Sequence, residues 1–341
     1  MKKILLALST LLGCAMTGFA QNNCVATLQH EGEFTHYYGS GALTSAYNAA
    51  AEGDIITLSP GTFSSPGTID KGITLRGTGI DAAAKSDISG GVTFRSTDST
   101  RVTIVEGIVF SSENYIQNNS SGKGQGTMLF IKNNFPQGIK VTNASNYSTM
   151  KGPKVRFYDG VINMHLYFSK NTYPDVFVYN CFVVCPWSES DFAETTSALV
   201  NCIIHYNSYH AQYAYNLNFF NSIFVFGTYG RNYVLEKTAT CNNCVSVNSN
   251  SFFSSQIYGA NNINITNDDA IFSSIEGHKW YELTPEAQET YLGTDCKQIG
   301  LYGGNYPYNT KVQYPVITQF GSDIQTSKEG ILNINLEVDG K

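Results

Sequence analysis

The chain has 341 residues, with 21 Lys+Arg against 27 Asp+Glu, a net charge of −6 and only 14% charged residues. With no basic run, this balance excludes nucleic acid as an expected partner, because phosphate backbones are gripped mainly by Lys and Arg. An aromatic content of 13% excludes a disordered chain, and 31 Gly, 31 Asn and 22 Tyr point to a β-rich, turn-rich protein.

Lys2 and Lys3, the apolar run Ile4–Leu12 and the small-x-small Gly18-Phe19-Ala20 read as a secretory signal peptide over residues 1–20, cleaved after Ala20. A competing reading takes Leu11-Leu12-Gly13-Cys14 as a lipoprotein box, with Leu12 a poor fit before the small residue. Residues 21–310 are expected to form one domain with end caps, and 311–341 a C-terminal extension. No later segment is apolar for long enough to span a bilayer. Seven cysteines follow Ala20, so at least one is expected to stay free in a monomer.

Leu43, Ala46, Tyr47 and Ala50 have helical spacing, with Gly53 as a stop, and predict a short N-terminal capping helix. Strands are expected at Ile55–Leu58, Ile73–Leu75, Val102–Phe110 and Thr127–Ile131, with a Gly/Ser/Asn-rich loop over Asn118–Gly126.

The middle of the chain repeats. Asp159, Asn180, Asn201, Asn221 and Asn243 anchor five aligned segments at spacings of 21, 21, 20 and 22. Two residues before each anchor stand Phe157, Val178, Leu199, Phe219 and Cys241, all apolar. One residue after it stand Gly160, Cys181, Cys202, Ser222 and Cys244, all small, and then Val161, Phe182, Ile203, Ile223 and Val245. Asp and Asn tolerate left-handed backbone better than other side chains, so each unit reads as strand, tight corner, strand. Stacked coils of this length form a parallel solenoid with strands about 4.8 Å apart. The anchors are expected to make an amide ladder, each side chain bonding the next. Low charge fits too, because stacked like charges repel. The sequence leaves open whether Cys24 and Cys296 pair, and their places near opposite ends of such a solenoid argue against it. The isolated Cys241-x-x-Cys244 lacks two of the ligands a zinc site needs.

Thr284-Pro285-Glu286 reads as a helix start, with residues to Leu292 in a short helix. Tyr302–Tyr314 reads as irregular wrapping, and the alternation of Leu332, Ile334, Leu336 and Val338 as a strand.

Gly53-Asp54-Ile55-Ile56-Thr57-Leu58-Ser59-Pro60-Gly61-Thr62-Phe63 and Ile73-Thr74-Leu75-Arg76-Gly77-Thr78-Gly79 resemble the opening coil of pectin-lyase-like proteins. The Asn-anchored units resemble that superfamily's middle coils, and Leu283–Glu286 with Ile299–Gly304 the end of secreted bacterial members without assigned activity. The resemblance implies an all-β fold: a right-handed parallel β-helix with a capping helix and an irregular C-terminal cap ending in a strand. It implies fold far more than function. The Asn-Thr-Asp and Gly-His-Gly patterns of polygalacturonases, the Gln-Ala-Val and Asp-Phe-x-Phe-Gly patterns of pectin esterases and the Trp-x-Asp-His pattern of pectate lyases are all absent.

In such proteins the ligand usually lies about half a coil from the Asn corner. Lys170, Asp191, His210 and Arg231 share that phase. They are candidates for the base and cation of an elimination, or solvated loop residues. Trp187, Tyr206, Tyr209, Tyr213, Tyr215 and Tyr229 crowd the same region, as sugar-stacking rings or as sheet packing. Asp175, Glu189, Asp191 and Glu194 form either a calcium-binding carboxylate set or a solvated acidic face. No cofactor or metal is signalled. The favoured expectation is a secreted or envelope protein that binds a polysaccharide or surface glycan without cleaving it. A divergent polysaccharide lyase or hydrolase, or a structural or adhesive envelope protein, are the alternatives.

Overall fold

The repeat columns become the register of a parallel β-solenoid. The computed structural model describes residues 24–339, apart from 97, 119–125, 144–150, 170–172, 189–196, 207–211, 228–232, 236–237, 250, 254–258, 268–270, 276–279, 312–315 and 323–333. Residues 1–20, expected from the sequence to be a signal peptide, lie outside the described residues. Sheets of 11 and 10 strands run along the stack, and a third sheet of 6 strands covers the coils from Thr68 to Ser188, an architecture consistent with a right-handed β-helix.

Val161, Phe182, Ile203, Ile223 and Val245 are direct strand partners on successive coils. So are Phe157, Val178, Leu199, Phe219 and Cys241, each at most 2% exposed. The anchors are left-handed, with φ of 53° at Asp159, 50° at Asn180, 54° at Asn201, 51° at Asn221 and 54° at Asn243. The same column continues through Gly107, Lys132 and Asn261. Gly107 therefore divides the strand expected at Val102–Phe110 into β9 (Val102–Glu106) and β10 (Val109–Phe110).

The expected amide ladder is corrected. Asn261 reaches Asn243 at 3.4 Å, but the other corner amides turn outward to the C-terminal segment. The inter-coil bonds fall one residue later instead. There Cys181 Sγ accepts Gly160 N–H at 3.2 Å, Ser222 Oγ accepts Cys202 N–H at 3.1 Å and Asn262 Oδ1 accepts Cys244 N–H at 3.0 Å. Small polar atoms there satisfy buried amides that the tight corner leaves out of the ladders.

After the Thr284-capped helix Pro285–Thr290, residues 292–311 run back along the outside of this corner. Asn243 Nδ2 donates to Leu292 O at 3.1 Å, and Thr294 N–H donates to Asn221 Oδ1 at 3.1 Å. Asn180 Nδ2 donates to Leu301 O at 2.8 Å and Gly303 O at 3.0 Å. Lys132 Nζ donates to Lys311 O, and the Thr310 hydroxyl to the Asp81 carboxylate. The segment thus crosses successive coils in reverse order, tied by the side chains of the left-handed corners.

The interior is aromatic at its centre. Phe94, Phe110, Phe130, Phe135 and Phe157 are each at most 2% exposed, with the Phe130 ring 4.9 Å from those of Phe94 and Phe157. At the N-terminal end the helix Ala42–Ala49 buries Ala42, Leu43, Ala46 and Tyr47. An antiparallel hairpin of β1 (Val25–His30) and β2 (Glu33–Tyr38), not expected from the sequence, begins the first sheet. The C-terminal strand, Ile334–Asp339, pairs antiparallel with a second strand, Val316–Ser322. None of the seven described cysteines forms a disulfide, and only Cys296 is exposed.

Asp159 stands where the later coils place Asn. Burial raises its pKa from 3.8 to about 7, against the opposing pull of nearby Lys132 and the N–H of Asn309. Folded Asp159 holds its proton more tightly than the unfolded chain does. Its contribution is therefore fully present below about pH 4 and is lost as pH rises through about 7. Asp159→Asn is expected to flatten that decline and raise stability at pH 8 by about 2 kcal/mol, read from urea melts across pH. An unchanged pH slope would remove this account.

Candidate functional site

Strands of the third sheet alternate one residue into the core and one outward. Ile116, Ile139, Val141, Leu166 and Phe168 point inward, each at most 1% exposed. The opposite parity presents a row on β11 (Asn114–Asn118), β14 (Ile139–Asn143), β17 (Leu166–Phe168) and β20 (Pro186–Ser188). Tyr115 pairs with Lys140, Lys140 with Tyr167, and Tyr167 with Trp187. The four are half-buried side chains on one flat face, spaced at the interstrand distance of about 4.8 Å. The rings of Tyr167 and Trp187 lie 4.2 Å apart and 37° from parallel.

Corner residues add charge to the row. Glu113 precedes β11 and His165 precedes β17. Glu113 Oε2 is 2.7 Å from Lys140 Nζ and 3.2 Å from His165 Nε2. The Tyr115 hydroxyl donates to Glu113 Oε1. Gly138 makes the close corner possible: its φ is +80°, and a Cβ there would meet His165 O at 2.5 Å. Its carbonyl accepts Asn114 N–H, and His165 O accepts Ile139 N–H, so the two corners are locked to adjacent strands.

Burial pushes the Glu113 carboxyl up, but the Lys140 ammonium and Tyr115 hydroxyl outweigh it and hold the pKa below the ordinary value. His165 sits below its ordinary value because of burial first and Lys140 second, against the pull of Glu113. Tyr115 is raised, by its bond to Glu113 and then by burial. The cluster near neutral pH is therefore a carboxylate, an ammonium, a phenol and a largely neutral imidazole.

Of the residues singled out in the sequence, Trp187 belongs to this row. Tyr213 and Tyr215 follow on the next coil, their rings 6.1 Å apart and Tyr213 39% exposed. Ser188 Oγ ties Tyr215 to the edge of β20 by accepting its N–H at 2.7 Å and donating to its carbonyl at 2.8 Å. Tyr206 is a correction: at 1% exposure it points into the core with Ile204, on the inward parity of its strand, and has no face for a ligand. Tyr209 and Tyr229 lie outside the described residues, as do Lys170, Asp191, His210 and Arg231. Of the acidic set, Asp175 lies 2.9 Å from Arg156, while Glu189, Asp191 and Glu194 lie outside the described residues.

Tyr115, Lys140 and Tyr167 escaped the sequence reading because successive members of the row lie 25, 27 and 20 residues apart. The available signal was the alternation within each strand, not the repeat.

No family model matches the chain, and neither a curated protein nor a solved structure matches it. What is defined is the class, a parallel β-solenoid with an aromatic row on the outer face of its third sheet. Among the described residues no helix is long and apolar enough to cross a membrane, and no group of three or more His, Cys, Asp or Glu is placed to hold a metal ion.

Proposed function

We propose that the protein is a secreted or cell-envelope β-solenoid that binds an extended glycan along the third sheet without cleaving it. The observation carrying this reading is the row Tyr115–Lys140–Tyr167–Trp187. Its rings are held at strand spacing on a rigid face, with polar groups at one end. Aromatic faces stack on the apolar faces of sugar rings while hydroxyls and ammonium groups bond to their edges. A solenoid repeats that contact along its axis, which suits a linear polymer. The resemblance of residues 53–79 to pectin-lyase-like proteins supports the same placement. The secretory reading of residues 1–20 supports an extracytoplasmic site.

The non-cleaving reading is supported by Glu113, which engages Lys140 and Tyr115 together. A divergent lyase would need those groups free to meet substrate. Affinity electrophoresis through gels containing soluble polysaccharides tests the proposal. At least one glycan is expected to retard the protein without being shortened, and Trp187→Ala is expected to weaken that retardation about tenfold. Retardation by no glycan, or a variant that binds as tightly as the parent, would remove the reading.

A further inference from the structure

Resting on the glycan-binding reading, we infer that the row takes an uncharged, hydroxyl-rich polysaccharide and rejects polyuronates, because Glu113 occupies Lys140. The ammonium that would otherwise attract a sugar carboxylate is 2.7 Å from Glu113 Oε2. The second carboxylate oxygen accepts the Tyr115 hydroxyl. Lys140 Nζ also lies 5.9 Å from the Tyr115 ring centroid, so both partners hold the side chain over the row. His165 Nε2, 3.2 Å from the same Glu113 oxygen, brings no compensating positive charge while it is neutral.

A uronate carboxylate approaching Lys140 must either displace Glu113 or share the ammonium with it. Sharing sets two carboxylates side by side, and like charges brought together at an interface reject a partner. A sugar hydroxyl meets no such barrier. An ammonium carries three donors and a phenol oxygen can accept as well as donate, so Lys140 and Tyr115 keep capacity beyond their bonds to Glu113. Beyond them Tyr167 and Trp187 supply uncharged stacking surface. The face carries one other described cation, Arg95. It donates to Gln117 Oε1 through Nε at 3.0 Å and Nη2 at 2.6 Å. It stands on the coil before Tyr115 and two residues along the strand from the row, away from the aromatic end.

The test compares dextran, xylan and mannan with polygalacturonate and alginate, using the full chain and Glu113→Gln, with Trp187→Ala as the row control. The parent is expected to bind a neutral chain and to bind both polyuronates at least about fivefold more weakly. Glu113→Gln, which frees the ammonium at nearly constant shape, is expected to gain about fivefold for polyuronates at low salt and to lose that gain at high salt. A parent that prefers polyuronates, or a Glu113→Gln variant with no gain for them, overturns the inference while leaving glycan binding intact. Binding of none of the five, or binding indifferent to Trp187→Ala, overturns the glycan reading and this inference with it. Circular dichroism of both variants confirms that they are folded.

Discussion

Phe130→Ala is expected to lower stability by about 3–5 kcal/mol, the range for deleting a buried aromatic ring. Phe130 is 1% exposed and lies at the crossing of the central ring stack. Its centroid is 4.9 Å from Phe94, 4.9 Å from Phe157 and 5.8 Å from Phe135. Removal takes away its own transfer energy and three ring contacts, and strand ladders on both sides prevent the coils from collapsing onto the void. Val105 and Phe157, its strand partners on adjacent coils, are fixed by the same ladders. Phe130→Leu, which refills much of the volume, is expected to cost about half as much. Urea melts followed by circular dichroism and tryptophan fluorescence measure both. A loss below about 1 kcal/mol for the alanine variant would mean that the ring stack is not a tightly packed core.

The second large effect falls at the corner. Asn180→Ala is expected to cost about 3 kcal/mol, from two sources that a companion variant separates. The amide donates to two carbonyls, Leu301 O and Gly303 O, and the residue is 5% exposed, so both bonds are lost where water has little access, with Leu301 O keeping only the N–H of Tyr308. The backbone at φ 50° adds strain for alanine. Asn180→Gly removes the bonds but accepts the backbone, and is expected to cost about 1–2 kcal/mol. Both variants are expected to speed proteolysis within residues 292–311 without opening the coils. Equal losses for the two would assign the effect to hydrogen bonding alone. No loss for either would mean the C-terminal segment is not anchored at this corner.

Much of the solenoid was legible because stacking writes its periodicity into the chain. The anchors from Asp159 to Asn243, the apolar columns on either side and the small corner residues all fell into register at one spacing. What stayed hidden depends on contacts remote in sequence. The corner amides looked like partners for one another because they share a column, but their outward direction and the segment that returns to meet them are tertiary facts. The hairpin β1–β2 was missed because its Glu31-Gly32 corner is a weaker turn signal than Asn-Gly or Asp-Gly. For the site, Trp187 was recognisable as an aromatic in a sheet region. Tyr206 was misplaced because the parity of a short strand is set by where its corner falls. Glu113, Lys140 and His165 come from coils of unequal length, and only the ladder register brings them together.

The reversed course of residues 292–311 changes how the molecule holds itself together. A plain solenoid resembles a one-dimensional chain of neighbours, free to fray from either end one coil at a time. Here Thr310 bonds Asp81 across 229 residues of sequence, and the corners at Lys132, Asn180, Asn221 and Asn243 carry ties to the same returning segment. Ends that would otherwise open separately are coupled, so losing the last coil also loosens the first. Such distant closures slow folding. If the chain emerges N-terminus first, its early coils stack while this seam stands open, and the seam is laced only once the final residues arrive.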